Sequence, residues 1–148
     1  MKIRLMLTVL AAMALVFASS DTFSDASAQR VWYRGNVREI IRQLENDTDR
    51  FKSSLDRALD NSPLNGTRRE DEINEYVKRF EEATDRLRDR AEDQQYAPRL
   101  AQEVLARGRS INVFMRTHKL GGEAEVDWIK VRNDLNRLAN SYNLRWRW

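Results

Sequence analysis

The chain has 148 residues, with 26 Lys and Arg against 23 Asp and Glu, one histidine and no cysteine. This length and composition are typical of one soluble, largely helical domain. They exclude a disulfide framework, a thiolate metal site, a cysteine nucleophile and any metal site that needs two histidines.

The first 28 residues have the layout of a secretory signal peptide. Lys2 and Arg4 precede 14 uncharged residues, 5–18, and a polar stretch then ends in Ala26-Ser27-Ala28. Fourteen apolar residues are too few to span a bilayer, which needs about 20. We therefore predict cleavage after Ala28 and export of residues 29–148 to the periplasm or the extracellular space, as a protein that is not integral to the membrane. An uncleaved anchor is the alternative.

Four segments of the remaining chain carry apolar or small residues at alternating steps of three and four. This coiled-coil-like spacing places one stripe on a single face of a helix, and each stripe therefore predicts an amphipathic helix. The four stripes are Val37, Ile41, Leu44, Thr48, Phe51, Leu55 and Ala58; Ile73, Val77, Phe80, Thr84, Leu87 and Ala91; Ala97, Ala101, Val104, Gly108, Ile111, Met115 and His118; and Ala124, Trp128, Val131, Leu135, Leu138 and Tyr142.

Helix-breaking residues separate the stripes. Residues 61–66 contain both proline and glycine, and Thr67 with Glu70 has the spacing of a capping box. Pro98 suits the first turn of a third helix, and the Gly121-Gly122 pair suits its end. Since connections this short make successive helices antiparallel neighbours, we predict an all-α, up-down-up-down four-helix bundle over residues 29–148 with a short aromatic C-terminal tail.

The sequence offers no catalytic constellation. Carboxylate bundles of the ferritin type place a Glu three residues before a His, whereas Met115 holds that position before His118. His118 is better explained as a residue at the end of the third helix. We expect no catalytic residue, no metal and no cofactor. Thr48, Thr84 and Gly108 interrupt their stripes, either because helices approach closely there or because they line a small cavity.

Aromatic and arginine residues cluster near both termini of the predicted mature chain. Trp32 and Tyr33 precede the first stripe, and in an up-down-up-down bundle both termini lie at one end. The sequence therefore brings these residues together either as a surface that binds a partner or as apolar side chains that close the end of the core. The candidate residues are Trp32, Tyr33, Arg34, Arg145, Trp146, Arg147 and Trp148.

Three stretches, Thr84 to Arg90, Asn133 to Ala139 and Ser141 to Leu144, together with the tryptophan tail, resemble small secreted helical proteins of unknown function that occur in bacteria. The resemblance covers the predicted mature chain. It implies an all-helical exported protein and no particular activity.

These features favour a non-enzymatic exported bundle that binds another envelope component through its Arg/Trp-rich end. The partner would be an envelope protein, an anionic glycan or a lipid headgroup. Nucleic acid is excluded because the charge is mixed and the protein is exported. The alternatives are a periplasmic chaperone-like or stress protein, and a structural protein without a ligand.

Overall fold

A computed structural model describes residues 22–148 of the chain, with side chains from residue 36 onward. This range forms four helices and no strand, which confirms the predicted all-α class. Only residues 22–28 of the predicted signal peptide fall in the described range, and they are helical and continuous with the first helix; the rest of that prediction lies outside it. The helices are α1 (Thr22–Asp60), α2 (Arg68–Glu92), α3 (Pro98–His118) and α4 (Gly122–Ser141).

The helices form an antiparallel bundle in which each contacts its two neighbours. Arg57 near the end of α1 pairs with Glu123 at the start of α4, with 2.6 Å between Nη2 and Oε2. Arg86 near the end of α2 pairs with Glu103 near the start of α3, at 2.8 Å. Within residues 22–148 the diagonal pairs α1/α3 and α2/α4 make no close backbone approach. The predicted up-down-up-down order is therefore confirmed.

The four sequence stripes form the core. Every stripe residue is buried except Ala58, Ala97 and His118, which are half-buried. The core is wider than the stripes, because a helix in a bundle faces two neighbours and needs a broad apolar face. A second set of buried side chains supplies this width: Ile40, Leu59, Ala83, Leu105, Phe114 and Ala139.

The small and polar residues within the stripes are sites of close packing. The hydroxyl of Thr48 donates to the Leu44 carbonyl at 2.7 Å, and that of Thr84 donates to the Phe80 carbonyl at 3.0 Å. A Cβ atom added to Gly108 would lie 2.6 Å from the nearest Leu135 methyl. Gly108 therefore permits α3 to approach α4, and close packing explains its place in the stripe.

Two helix ends differ in detail from the sequence prediction. The Thr67 hydroxyl accepts from the amide of Arg69, as an N-cap should, but Glu70 reaches the amide of Gly66 rather than that of Thr67. Gly121 has φ +71° and is the N-cap of α4, so the glycine pair begins α4. The left-handed residue that ends α3 is Lys119, with φ +39°.

The first helix begins earlier than its apolar stripe indicates. Trp32 and Tyr33 were expected just before this helix, and that boundary is wrong: both lie within α1, which starts at Thr22. Among residues 22–148, no helix has the length and apolar character needed to cross a bilayer.

Candidate functional site

The chain reverses direction after α4. Tyr142 is buried, Asn143 has φ +54°, and the amide of Leu144 donates to the Ala139 carbonyl at 2.8 Å. A left-handed residue at this point turns the chain back on the helix that precedes it. Residues 144–148, here called the tail, therefore run back along α4 instead of leaving the end of the bundle.

One side of the tail faces the interior. Leu144, Trp146 and Trp148 are half-buried and pack against the core. The indole nitrogen of Trp148 donates to Asn136 Oδ1 on α4 at 2.9 Å. The rings of Trp146 and Trp148 meet edge to face, with centroids 5.3 Å apart. These contacts fix the tail along its whole length.

Trp128 of α4 joins the tail to the rest of the core. Its ring centroid lies 6.3 Å from that of Trp148 and 5.0 Å from that of Phe51 on α1. Its indole nitrogen donates to Asn112 Oδ1 on α3 at 3.2 Å. A continuous row of aromatic rings therefore leads from α1 through α4 to the tail.

The tail fills space that the helices leave open. Of the four neighbouring pairs, α3 and α4 have the least direct contact, whereas α1 and α4 have the most. Trp146 contacts Arg109 of α3, and Trp148 contacts α4, so the tail bridges these two helices. The shallow direct contact between α3 and α4 is thus supplemented by the indole rings.

The opposite side of the tail presents arginine. Arg145 and Arg147 are exposed, and the carbonyl of Arg147 accepts from Arg109 Nη2 at 2.7 Å. The guanidinium carbon of Arg109 lies 4.7 Å from the centre of the Trp146 ring, and that of Arg132 lies 4.9 Å from the centre of the Trp148 ring. Both distances are within the range of a cation–π contact. We call the following six residues the tail surface: Arg109, Arg132, Arg145, Trp146, Arg147 and Trp148.

The tail surface concentrates positive charge. Several arginine and lysine side chains elsewhere pair with carboxylates between helices, as in Arg88 with Glu45 at 2.6 Å and Lys52 with Glu81 at 3.0 Å. None of the four tail-surface arginines has a carboxylate of a described side chain within 4.0 Å. Residues 99–148 carry ten basic and five acidic residues. The tail surface is therefore a site of uncompensated positive charge.

The structure brings together only part of the predicted candidate set. Arg145, Trp146, Arg147 and Trp148 belong to one surface, but this surface lies along α3 and α4 and not at the end of the bundle. Trp32, Tyr33 and Arg34 lie in α1, and their side chains are outside the described part of the structure. The tail surface instead includes two arginines that the sequence did not single out, from α3 and α4.

A second polar cluster lies in a cleft of about 320 Å³ between α2 and α3. Tyr76 and Arg69 both donate to the Glu72 carboxylate, at 2.6 and 2.7 Å, and these hydrogen bonds lower the pKa of Glu72. The His118 ring stacks on Phe114 at 4.1 Å, and its Nδ1 lies 3.0 Å from the carbonyl of that residue. These contacts fit the expected role of His118 at the end of α3. In the described residues, no three His, Cys, Asp or Glu side chains group as metal ligands would.

No protein-family model matches the chain, and no curated protein and no solved structure is significantly similar to it. The resemblance to small secreted helical proteins therefore stays a prediction. The candidate site depends on its own geometry and charge.

Proposed function

We propose that this protein is an exported, non-enzymatic helical bundle that binds an anionic component of the cell envelope through the tail surface. The observation that carries the proposal is the group of four arginines without carboxylate partners, two of which stack on tail tryptophans. Arginine that stacks on an aromatic ring can still donate hydrogen bonds from the edge of its guanidinium group, and Arg109 uses only its Nη2 for the Arg147 carbonyl. Such an edge binds carboxylate, sulfate or phosphate groups.

The two interpretations of the terminal residues apply to opposite sides of the tail. The indole rings pack inward, which supports a structural role for Trp146 and Trp148. The side chains of Arg145 and Arg147 point into solvent, which supports a binding role for them. We therefore assign the recognition of the partner to the arginines and the positioning of the tail to the tryptophans.

The proposed partner is an acidic envelope protein, an anionic glycan or an anionic lipid headgroup. All three carry negative charge, which complements the unpaired arginines of the tail surface. Export is inferred from the N-terminal sequence, and nucleic acid is excluded on the same ground. The proposal includes the absence of a catalytic role. It is supported by the α2/α3 cleft, where the described polar groups already hydrogen-bond to one another.

The test is a binding titration with three probes: polyglutamate, a uronic-acid polysaccharide and vesicles that contain phosphatidylglycerol. The Arg145→Ala plus Arg147→Ala variant is compared with wild type. We expect its affinity for the bound probe to fall about 30-fold, because each arginine near an anionic surface contributes about 1 kcal/mol.

The matched control is Arg57→Ala plus Arg79→Ala, which removes the same charge from exposed, salt-bridged positions. It should bind within about threefold of wild type, since those arginines are already paired. Equal losses in both variants would show that net charge alone drives binding. Failure of wild type to bind any of the probes would contradict the proposal.

A further inference from the structure

Two aspartates face each other inside the α1/α4 interface. Asp47 of α1 is 5% exposed and Asp134 of α4 is 4% exposed. The two carboxyl groups lie within hydrogen-bonding distance of each other. Buried aspartate is uncommon unless it is paired with a positive group, so two adjacent ones require an explanation.

Most of the carboxyl oxygens have donors at the edge of the interface. Asp47 accepts from Gln43 Nε2 at 3.0 Å, and Arg50 Nη1 lies 3.4 Å from its other oxygen. Asp134 Oδ1 accepts from Arg137 Nη1 at 3.0 Å. Both arginines are at least half exposed, so water screens their charge. They offset only part of the repulsion between two buried negative charges.

The fourth oxygen, Asp134 Oδ2, is buried and receives no N–H or hydroxyl donor from the described residues. The Asp134 carboxyl interacts with the Asp47 carboxyl across the interface. Two carboxyl oxygens form a hydrogen bond only when one of them carries a proton. A hydrogen bond between Asp47 and Asp134 therefore needs a proton on one of the two carboxyl groups.

We infer that Asp47 and Asp134 share one proton in the folded protein and that loss of this proton to solvent weakens the contact between α1 and α4. The pair then changes from one negative charge to two at the same site. The stability of the bundle is in this way controlled by external pH, to which an exported protein is directly exposed. The inference does not depend on the proposed function of the tail surface.

The electrostatic surroundings agree with this assignment. Burial, together with the hydrogen bond and the negative charge of Asp47, raises the pKa of Asp134 from 3.8 to about 6. Arg50 faces the pair from α1 and Arg137 faces it from α4. Neither α2 nor α3 contributes an ion pair or hydrogen bond to either carboxyl among the described side chains. Asp127, about two turns earlier on α4, behaves differently. A hydrogen bond from Lys130 lowers its pKa.

The sign of the pH effect follows from the raised pKa. The stabilising contribution is complete below pH 4, where the unfolded and folded forms are both protonated, and it disappears as pH rises through 6. We expect the unfolding equilibrium constant of wild type to increase about tenfold between pH 5 and pH 7.5. The measurement is urea unfolding of the purified protein at a series of pH values.

The test variant is Asp134→Asn, because an amide can donate the hydrogen bond without a titrating proton. Its unfolding constant should stay constant across the same pH range. The control is Asp127→Asn, which removes the same charge from the same helix and should retain the wild-type tenfold increase. A wild-type constant that is flat, or an increase that persists in Asp134→Asn, would overturn the inference.

A second measurement decides the question if Asp134→Asn does not fold. The carboxyl carbon of Asp134 can be followed by NMR in wild type during a pH titration. We expect its signal to change in a step near pH 6. Completion of this titration below pH 5 would contradict the shared proton.

Discussion

The two interfaces of α4 are built in different ways. Toward α1 the contact is direct and extensive, with the Phe51 ring tilted against that of Trp128 and two aspartates enclosed between the helices. Toward α3 the direct contact is small, and the chain's own C-terminal residues complete it. The four regular stripes of this bundle therefore fill three interfaces well, and side chains from outside the helices complete the fourth.

The largest effect should follow from weakening the direct interface. Phe51→Ala removes a fully buried ring that contacts Trp128, and we expect the free energy of unfolding to fall by about 3–5 kcal/mol. Urea unfolding followed by circular dichroism measures this. A loss below about 1 kcal/mol would mean that the α1/α4 contact is not the more stable of the two.

The next effect concerns the tail. Trp146→Ala plus Trp148→Ala exposes the α3/α4 groove. We expect the free energy of unfolding to fall by about 2–4 kcal/mol. The matched variant Arg145→Ala plus Arg147→Ala removes only exposed side chains and should change stability by less than about 0.5 kcal/mol. If both variants lost the same stability, the inward and outward sides of the tail would not have separate roles.

A smaller effect should come from the polar contact between α3 and α4. Asn112→Ala leaves the buried indole nitrogen of Trp128 without its acceptor, which costs about 1–3 kcal/mol. Asn133→Ala, at an exposed position on α4, is the control and should be nearly neutral. Equal stability of the two variants would show that Trp128 does not depend on this hydrogen bond.

The helices and their order were predictable from the sequence, because apolar spacing and short connections depend on local residues. The tail was placed wrongly because the topology alone brings the C-terminus to one end. The alternation of Leu144, Trp146 and Trp148 with Arg145 and Arg147 was a usable signal, since a period of two indicates a segment with one face buried. Asn143, a residue that tolerates left-handed conformation, marks the turn.

The aspartate pair could not be predicted. In the sequence, Asp47 and Asp134 are two of many carboxylates on amphipathic helices, and they lie 87 positions apart. Their contact depends on the rotation and vertical register of α1 against α4. Those are set by the packing of the complete core, including Phe51 and Trp128. The stacking of Arg109 and Arg132 on the tail tryptophans depends on the same long-range geometry.

Residues 144–148 should hold α3 to α4. Amide hydrogen exchange on a chain that ends at Asn143 measures this contribution. Exchange in α3 and in the C-terminal half of α4 should become faster, while exchange in the parts of α1 and α2 that face each other should change little. Unchanged exchange in α3 and α4 would contradict this role of the tail, because the direct contact between those helices would then be sufficient.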